Sequence, residues 1–213
     1  KALAVSQDGT VIRVLEGTYP GGLAVTVPNV TIIGAGPGVT TVSSLAGATG
    51  FNVTANNVTI RDLRLSGGRY GVDINGVTNG TLQNLVISTI TGGADQEAAG
   101  VQLNATTGVT LSGLNISGVT GGRGTSATCN RCDGANGQAG VAVLVNASSS
   151  ITISDGNFFG LAGGSGGHAT GYSGRGGSGG RSVGVWIRSG SSSVVVQNTQ
   201  IHNAAGGSSG TGD

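Results

Sequence analysis

"NVTIRDLRLSGGRYGVDI", residues 57–74, holds three short runs of alternating apolar and polar residues. Val58 and Ile60 belong to the first, Leu63 and Leu65 to the second, Val72 and Ile74 to the third. Alternation with period two, rich in β-branched residues, predicts strands. Asp62 and Gly67–Gly68 stand between the runs, where residues that tolerate the left-handed conformation allow sharp bends. Three strands and three bends make one coil of something larger.

The same pattern recurs. "NVTIIGAG" starts at Asn29, "GTLQNLVISTITGG" at Gly80, "GVTLSGLNISGVTGG" at Gly108, "SITISDGNFFGLAGG" at Ser150 and "SVVVQNTQIHNAAGG" at Ser193. Aligned, they put Ile60, Leu82, Leu111, Ile153 and Val196 in one column, and Leu65, Ile87, Ile116, Phe158 and Ile201 in a second. A third motif precedes five segments: "GFNV" at Gly50, "GVDI" at Gly71, "GVQL" at Gly100, "GVAV" at Gly140 and "GVWI" at Gly184. The turn column reads Asp62, Asn84, Gly113, Asp155–Gly156 and Asn198. The first column stands at 60, 82, 111, 153 and 196, so successive coils lengthen while the strand motifs keep their form. Length variation confined to one point means variable loops on a constant coil, the signature of a parallel β-solenoid. No coil can bury its apolar face alone; stacked at about 4.8 Å, each buries it on the next.

These motifs, with the opening "DGTVIRVLEGTYPGGLAVTVPNVTIIGAGPGVTTV" (Asp8–Val42), resemble the pectin-lyase-like family of single-stranded right-handed β-helices. The resemblance covers essentially the whole chain. It implies an all-β, right-handed parallel β-helix of about six coils with long glycine-rich third-turn loops. It says little about activity, because that superfamily hosts lyases, hydrolases, esterases, tailspikes and adhesins. One domain is expected over 1–213: N-terminal coils over 1–42, then regular coils over 43–213 with loops at 88–100, 117–139, 160–182 and 203–213. In the fifth coil's loop Gly171, Gly174, Gly177 and Gly180 recur every third residue. That spacing suits polyproline-II-like strands, which pack closely where side chains are absent. An ordered glycine layer and a set of mobile loops are both open readings.

Composition narrows the function. The chain has 213 residues, 44 glycines, 9% charged residues and a net charge of +1. Lys1 is the sole lysine and the arginines are scattered, so no basic patch exists to neutralise nucleic-acid phosphates. No apolar run of about 18 residues occurs, so no membrane insertion is expected. The chain has no methionine, which fits a processed chain or a fragment. "CNRC" (Cys129, Cys132) reads as a local disulfide; free thiols, or a Cys2His2 metal site with His168 and His202, are the other readings, and no metal is the working expectation.

In each "GVxI" motif x points outward. That column reads Asn52, Asp73, Gln102, Ala142 and Trp186; two residues on come Thr54, Asn75, Asn104, Leu144 and Arg188. In the resembled family this face carries the polysaccharide groove. Trp186, Arg188, Gln102, Asn104, Asn75 and Asn52 are therefore the candidate ligand-binding residues: amides pair with hydroxyls and an aromatic face stacks on a pyranose. Trp186 covered by its own loop is the competing reading. For catalysis, the one acidic cluster that could form is Asp73 with Asp95 and Glu97, near Arg69; it would serve as paired carboxylates or as a Ca²⁺ site. No cofactor is otherwise expected.

The poverty of acid–base residues and the open last coil favour an extracellular, non-catalytic module: an adhesin, a receptor-binding tip or a surface fibre, with glycan binding and head-to-tail or lateral self-association as its modes. The alternative is a polysaccharide lyase or glycoside hydrolase acting in the groove. A third reading, ice binding, needs regular Thr and Ser ranks.

Overall fold

The computed structural model describes residues 2–171 and 173–212; Lys1, the loop's Tyr172 and Asp213 lie outside the described residues. Every strand pairing is parallel, and no α-helix occurs among the described residues; one 3-10 turn spans Leu3–Val5. The chain climbs as a right-handed parallel β-helix, the pectin-lyase-like fold.

A six-stranded front sheet stacks Leu23–Val25, Thr49–Val53, Tyr70–Asn75, Ala98–Asn104, Gly140–Asn146 and Ser182–Ile187. A twelve-stranded back sheet wraps the other two sides. Its strands Thr59–Gly67 and Thr81–Thr91 run through both sides and bend at Asp62 and Asn84, whose φ values are 59° and 48°. Gly113, Asp155 and Asn198 repeat the left-handed conformation at the same bend (61°, 54° and 48°). The Asn84 amide donates to the Asp62 carboxylate at 2.7 Å, so the bend is stitched from rung to rung. A second stitched bend precedes the Thr31, Thr59 and Thr81 strands, with Asn29, Asn57 and Asn79 at φ near 60° and Asn57 donating to Asn29 at 2.9 Å.

Registers match the two core columns. Ile60, Leu82, Leu111, Ile153 and Val196 are direct partners in succession. So are Leu65, Ile87, Ile116, Phe158 and Ile201. The middle rungs are sealed, with Leu65, Ile87, Ile116 and Phe158 at most 1% exposed, whereas Ile201 on the last rung is 48% exposed. Each sealed Leu or Ile contributes about 2 kcal/mol of apolar transfer. Outward on the back sheet, Thr31, Thr59, Thr81, Thr110 and Thr152 form one rank. The neighbouring rank is Ile33, Arg61, Gln83, Ser112 and Ser154, too mixed to complete the flat hydroxyl array that ice binding requires.

Beyond the coils, the glycine-rich segments 121–127, 134–139, 163–169, 174–181 and 206–212 lie side by side. Their inter-segment hydrogen bonds recur every third residue. Gly164 and Gly167 donate to Gln138 and Ala135 at 2.9 and 2.8 Å; Gly177 and Gly180 donate back to Gly167 and Gly164 at 2.9 and 2.7 Å. Gly163 and Gly166 donate to Ala205 and Ser208, and Gly124 donates to Ser165. Segment 163–169 thus touches four neighbours through its backbone, a lattice of three-residue-per-turn chains. A Cβ on Gly171, Gly174, Gly177 or Gly180 would point at the carbonyl of Cys129, Cys132, Ala135 or Gln138, so the fifth coil's loop rides on the fourth's at a constant offset of 42 residues. Cys129 and Cys132 are joined as a disulfide at the fourth loop's tip.

Candidate functional site on the front sheet

The outward row of the front sheet is Asn52, Asp73, Gln102, Leu144 and Trp186. Leu144, not Ala142, occupies the fourth rung; Ala142 packs in the core. The next outward row runs Asn75, Asn104 and Asn146, with Arg188 following Ile187 on the last rung. Asn146 donates to Asn104 at 2.8 Å and Asn104 to Asn75 at 3.3 Å, an amide ladder along the face.

A third outward row, Tyr70, Ala99, Val141 and Val183, is apolar. With Leu144, Ala139 and the half-buried Trp186 it forms a second hydrophobic cluster outside the coil. Val141 and Leu144 are at most 1% exposed because the glycine layer leans over them, and Ala139 of that layer supplies part of the cover. This cluster was missed in the sequence, although "VAVLV" (Val141–Val145) is an unbroken apolar run, the mark of a strand buried on both faces.

Between the layer and this face lies a cleft of about 340 Å³. Trp186, Arg188 and Glu97 form its floor side, while Asn136, Gln138 and Arg181 stand on the layer's side. Arg188 grips Glu97 with both terminal nitrogens, at 3.2 and 2.5 Å. The same guanidinium lies over the Trp186 ring, 4.3 Å from its centroid. One face of Trp186 is therefore taken by Arg188.

Asp73 sits three rungs before Trp186, roughly 14 Å along the face at 4.8 Å per rung. Its Oδ1 is buried and has no partner, and so is Oε1 of Gln102 on the next rung. Burial raises the Asp73 pKa above the ordinary carboxylate value, and the positive charge of Arg69 offsets part of the effect. Burial also raises the Tyr70 pKa, against the pull of Arg69. Arg69 lies 4.7 Å from the Tyr70 ring centroid and donates through Nε to the Glu97 carbonyl at 3.0 Å.

The predicted acidic cluster is only partly assembled. Asp95 turns into the fourth loop, where its carboxylate accepts the Thr125 N–H at 3.0 Å, and it is exposed. Glu97 is committed to Arg188. Among the described residues no three His, Cys, Asp or Glu side chains converge as a metal site. Asn52 and Asn75 are exposed at the early end of the face.

Fold and face together define a β-helix with a roofed cleft along its front sheet. Solved structures share the β-helix fold. The catalytic domain of a family 87 α-1,3-glucanase, solved with tetrasaccharides, aligns with a TM-score of 0.52 at 18% identity over 90% of this chain and 34% of that one. A pectin methylesterase solved with a hexasaccharide gives 0.43 at 14% identity, covering 71% and 59%. An alginate lyase from a Paenibacillus species gives 0.43 at 13% identity, covering 94% and 95%. At these identities the likeness is one of fold, and this chain spans about a third (34%) of the glucanase. No family model and no curated protein matches the sequence. The expectation of a non-catalytic adhesin, receptor-binding tip or surface fibre is corrected by the glucanase alignment, in which a catalytic domain shares this fold.

Proposed function

We propose that the chain cleaves a polysaccharide along its front sheet, as a glycoside hydrolase with Asp73 as general acid. The observation that carries this reading is one face bearing two carboxylates in opposed environments. Asp73 is desolvated and holds its proton more firmly than an ordinary carboxylate, while Glu97 lies against the Arg188 guanidinium. Two carboxylates so differently placed, one desolvated and one against a guanidinium, suit separate acid and base roles. Asp73 gives its proton to the glycosidic oxygen as the C–O bond breaks. A water that loses a proton toward Glu97 adds to the anomeric carbon. The amide ladder and the cleft beside Trp186, Arg181 and Gln138 hold the sugars on either side. The disulfide and the weakly charged surface suit an extracellular setting.

The test is a panel of neutral and acidic polysaccharides, scored for new reducing ends and for unsaturated ends. Reducing ends alone are expected. Unsaturated ends would transfer the reading to a lyase, with a base abstracting a proton beside a uronate; no turnover on any polymer would remove it.

A further inference from the structure

The front face contains two buried oxygens that need a donor and have none: Oδ1 of Asp73 and Oε1 of Gln102. Their residues are direct partners on adjacent strands, with side chains on the same outward row. Two desolvated acceptors side by side are costly, because each loses its water partners and gains nothing in return. Turning the Gln102 amide by half a rotation about its last torsion exchanges Oε1 for Nε2 at almost no steric cost, since the two ends of an amide are nearly the same size. The turn puts a donor beside Asp73 Oδ1 and moves the amide oxygen to the side where Nε2 now stands. It gives Oδ1 the donor it lacks; a proton on Oδ1 would pair the same two atoms, but would bury that proton against the amide oxygen, away from any leaving group.

We infer that Gln102 is the positioning residue for Asp73: its amide N–H donates to Oδ1, which leaves Oδ2 as the oxygen that carries and delivers the proton. This deepens the hydrolase reading and rests on it for its catalytic meaning, though the hydrogen bond stands on geometry alone. An acid is effective when its proton is aimed at the leaving oxygen, and fixing one carboxyl oxygen fixes the direction of the other. The charged and titratable groups around the pair are Arg69 on the turn before the Asp73 strand, Tyr70 at that strand's first position, and Glu97 with Arg188 on the later rungs.

The first test uses the unaltered protein. In a carboxyl and side-chain amide NMR titration, one Gln102 Nε2 proton should move with the same midpoint as the Asp73 carboxyl carbon. A Gln102 amide that ignores Asp73 ionisation overturns the inference. The second test is Gln102→Met, which keeps length and removes the donor. Because the donor favours the charged form, its loss should move the Asp73 midpoint to higher pH. On a cleaved polysaccharide it should lower kcat about tenfold with KM unchanged and carry the basic limb of the pH profile upward in step. A midpoint that stays in place or falls refutes the assignment. If no polysaccharide is cleaved but the NMR coupling is present, the hydrolase reading fails and the Gln102–Asp73 bond survives.

Discussion

Gly164→Ala is a severe single-methyl test of the glycine layer. A Cβ at this position would sit on the Gly122 carbonyl, 2.5 Å from its carbon and 2.7 Å from the Gly121 oxygen. These are backbone atoms, so no side chain can swing aside. To relieve the clash, segment 163–169 must move away from 121–127, and its own bonds suffer. Gly164 donates to Gln138 at 2.9 Å and accepts from Gly180 at 2.7 Å. Losing both costs about 1–3 kcal/mol, and overpacking adds about 1–3 kcal/mol more. The sum, about 2–6 kcal/mol, corresponds to a fall in Tm of roughly 4–24 °C for a chain of this size. The assay is thermal and denaturant unfolding, paired with amide hydrogen exchange at Gly177 and Gly180. Ser165→Ala, the next residue, is the control: its side chain already exists, and the change should cost less than about 0.5 kcal/mol. If Gly164→Ala matches Ser165→Ala, and the two glycine amides exchange at unprotected rates in either protein, the lattice is not a packed structure.

Three further outcomes follow from the same structure. Phe158→Ala, in the sealed column between Ile116 and Ile201, should cost about 3–5 kcal/mol by denaturant unfolding, whereas Ile201→Ala on the open last rung should cost far less. Asp73→Asn should stabilise the fold near neutral pH. The folded state holds the Asp73 proton more firmly than the unfolded chain, so ionisation penalises folding as pH climbs from the unfolded value of 3.8 through the raised folded value, and the gain should vanish in Tm measurements well below pH 3.8. Glu97→Gln should cost about 1 kcal/mol, less at high salt, and should release Arg188 from the ring of Trp186; as the sole tryptophan, Trp186 reports this directly through its emission.

Much of the coil was legible because a parallel stack repeats one geometric demand at every rung. Ile60, Leu82 and Leu111 must meet, and so the sequence repeats an apolar residue there. Asp62, Asn84 and Gly113 must bend left-handed, and so it repeats Asp, Asn or Gly. The front row was misread at one rung because the fourth coil carries "GVAVLV", where the usual "GVxI" spacing shifts by two residues and Leu144 replaces Ala142. The cleft was illegible for a different reason. Its chemistry depends on Glu97 and Arg188, 91 residues apart, meeting across a layer whose position no periodicity records. The period-three glycines were visible. Which strand each one faces follows only from the 42-residue offset between successive loops, and that offset emerges once the coils beneath them are in register.

The most direct measurement is the rate of new chain-end formation by the unaltered protein and by Asp73→Asn, side by side on the same polysaccharide, with folding of both verified. The account predicts turnover by the first and its loss by a factor of at least about 100 in the second, the scale of a general acid's contribution. Equal rates in the two proteins, or none in either on any neutral or acidic polymer, would contradict it.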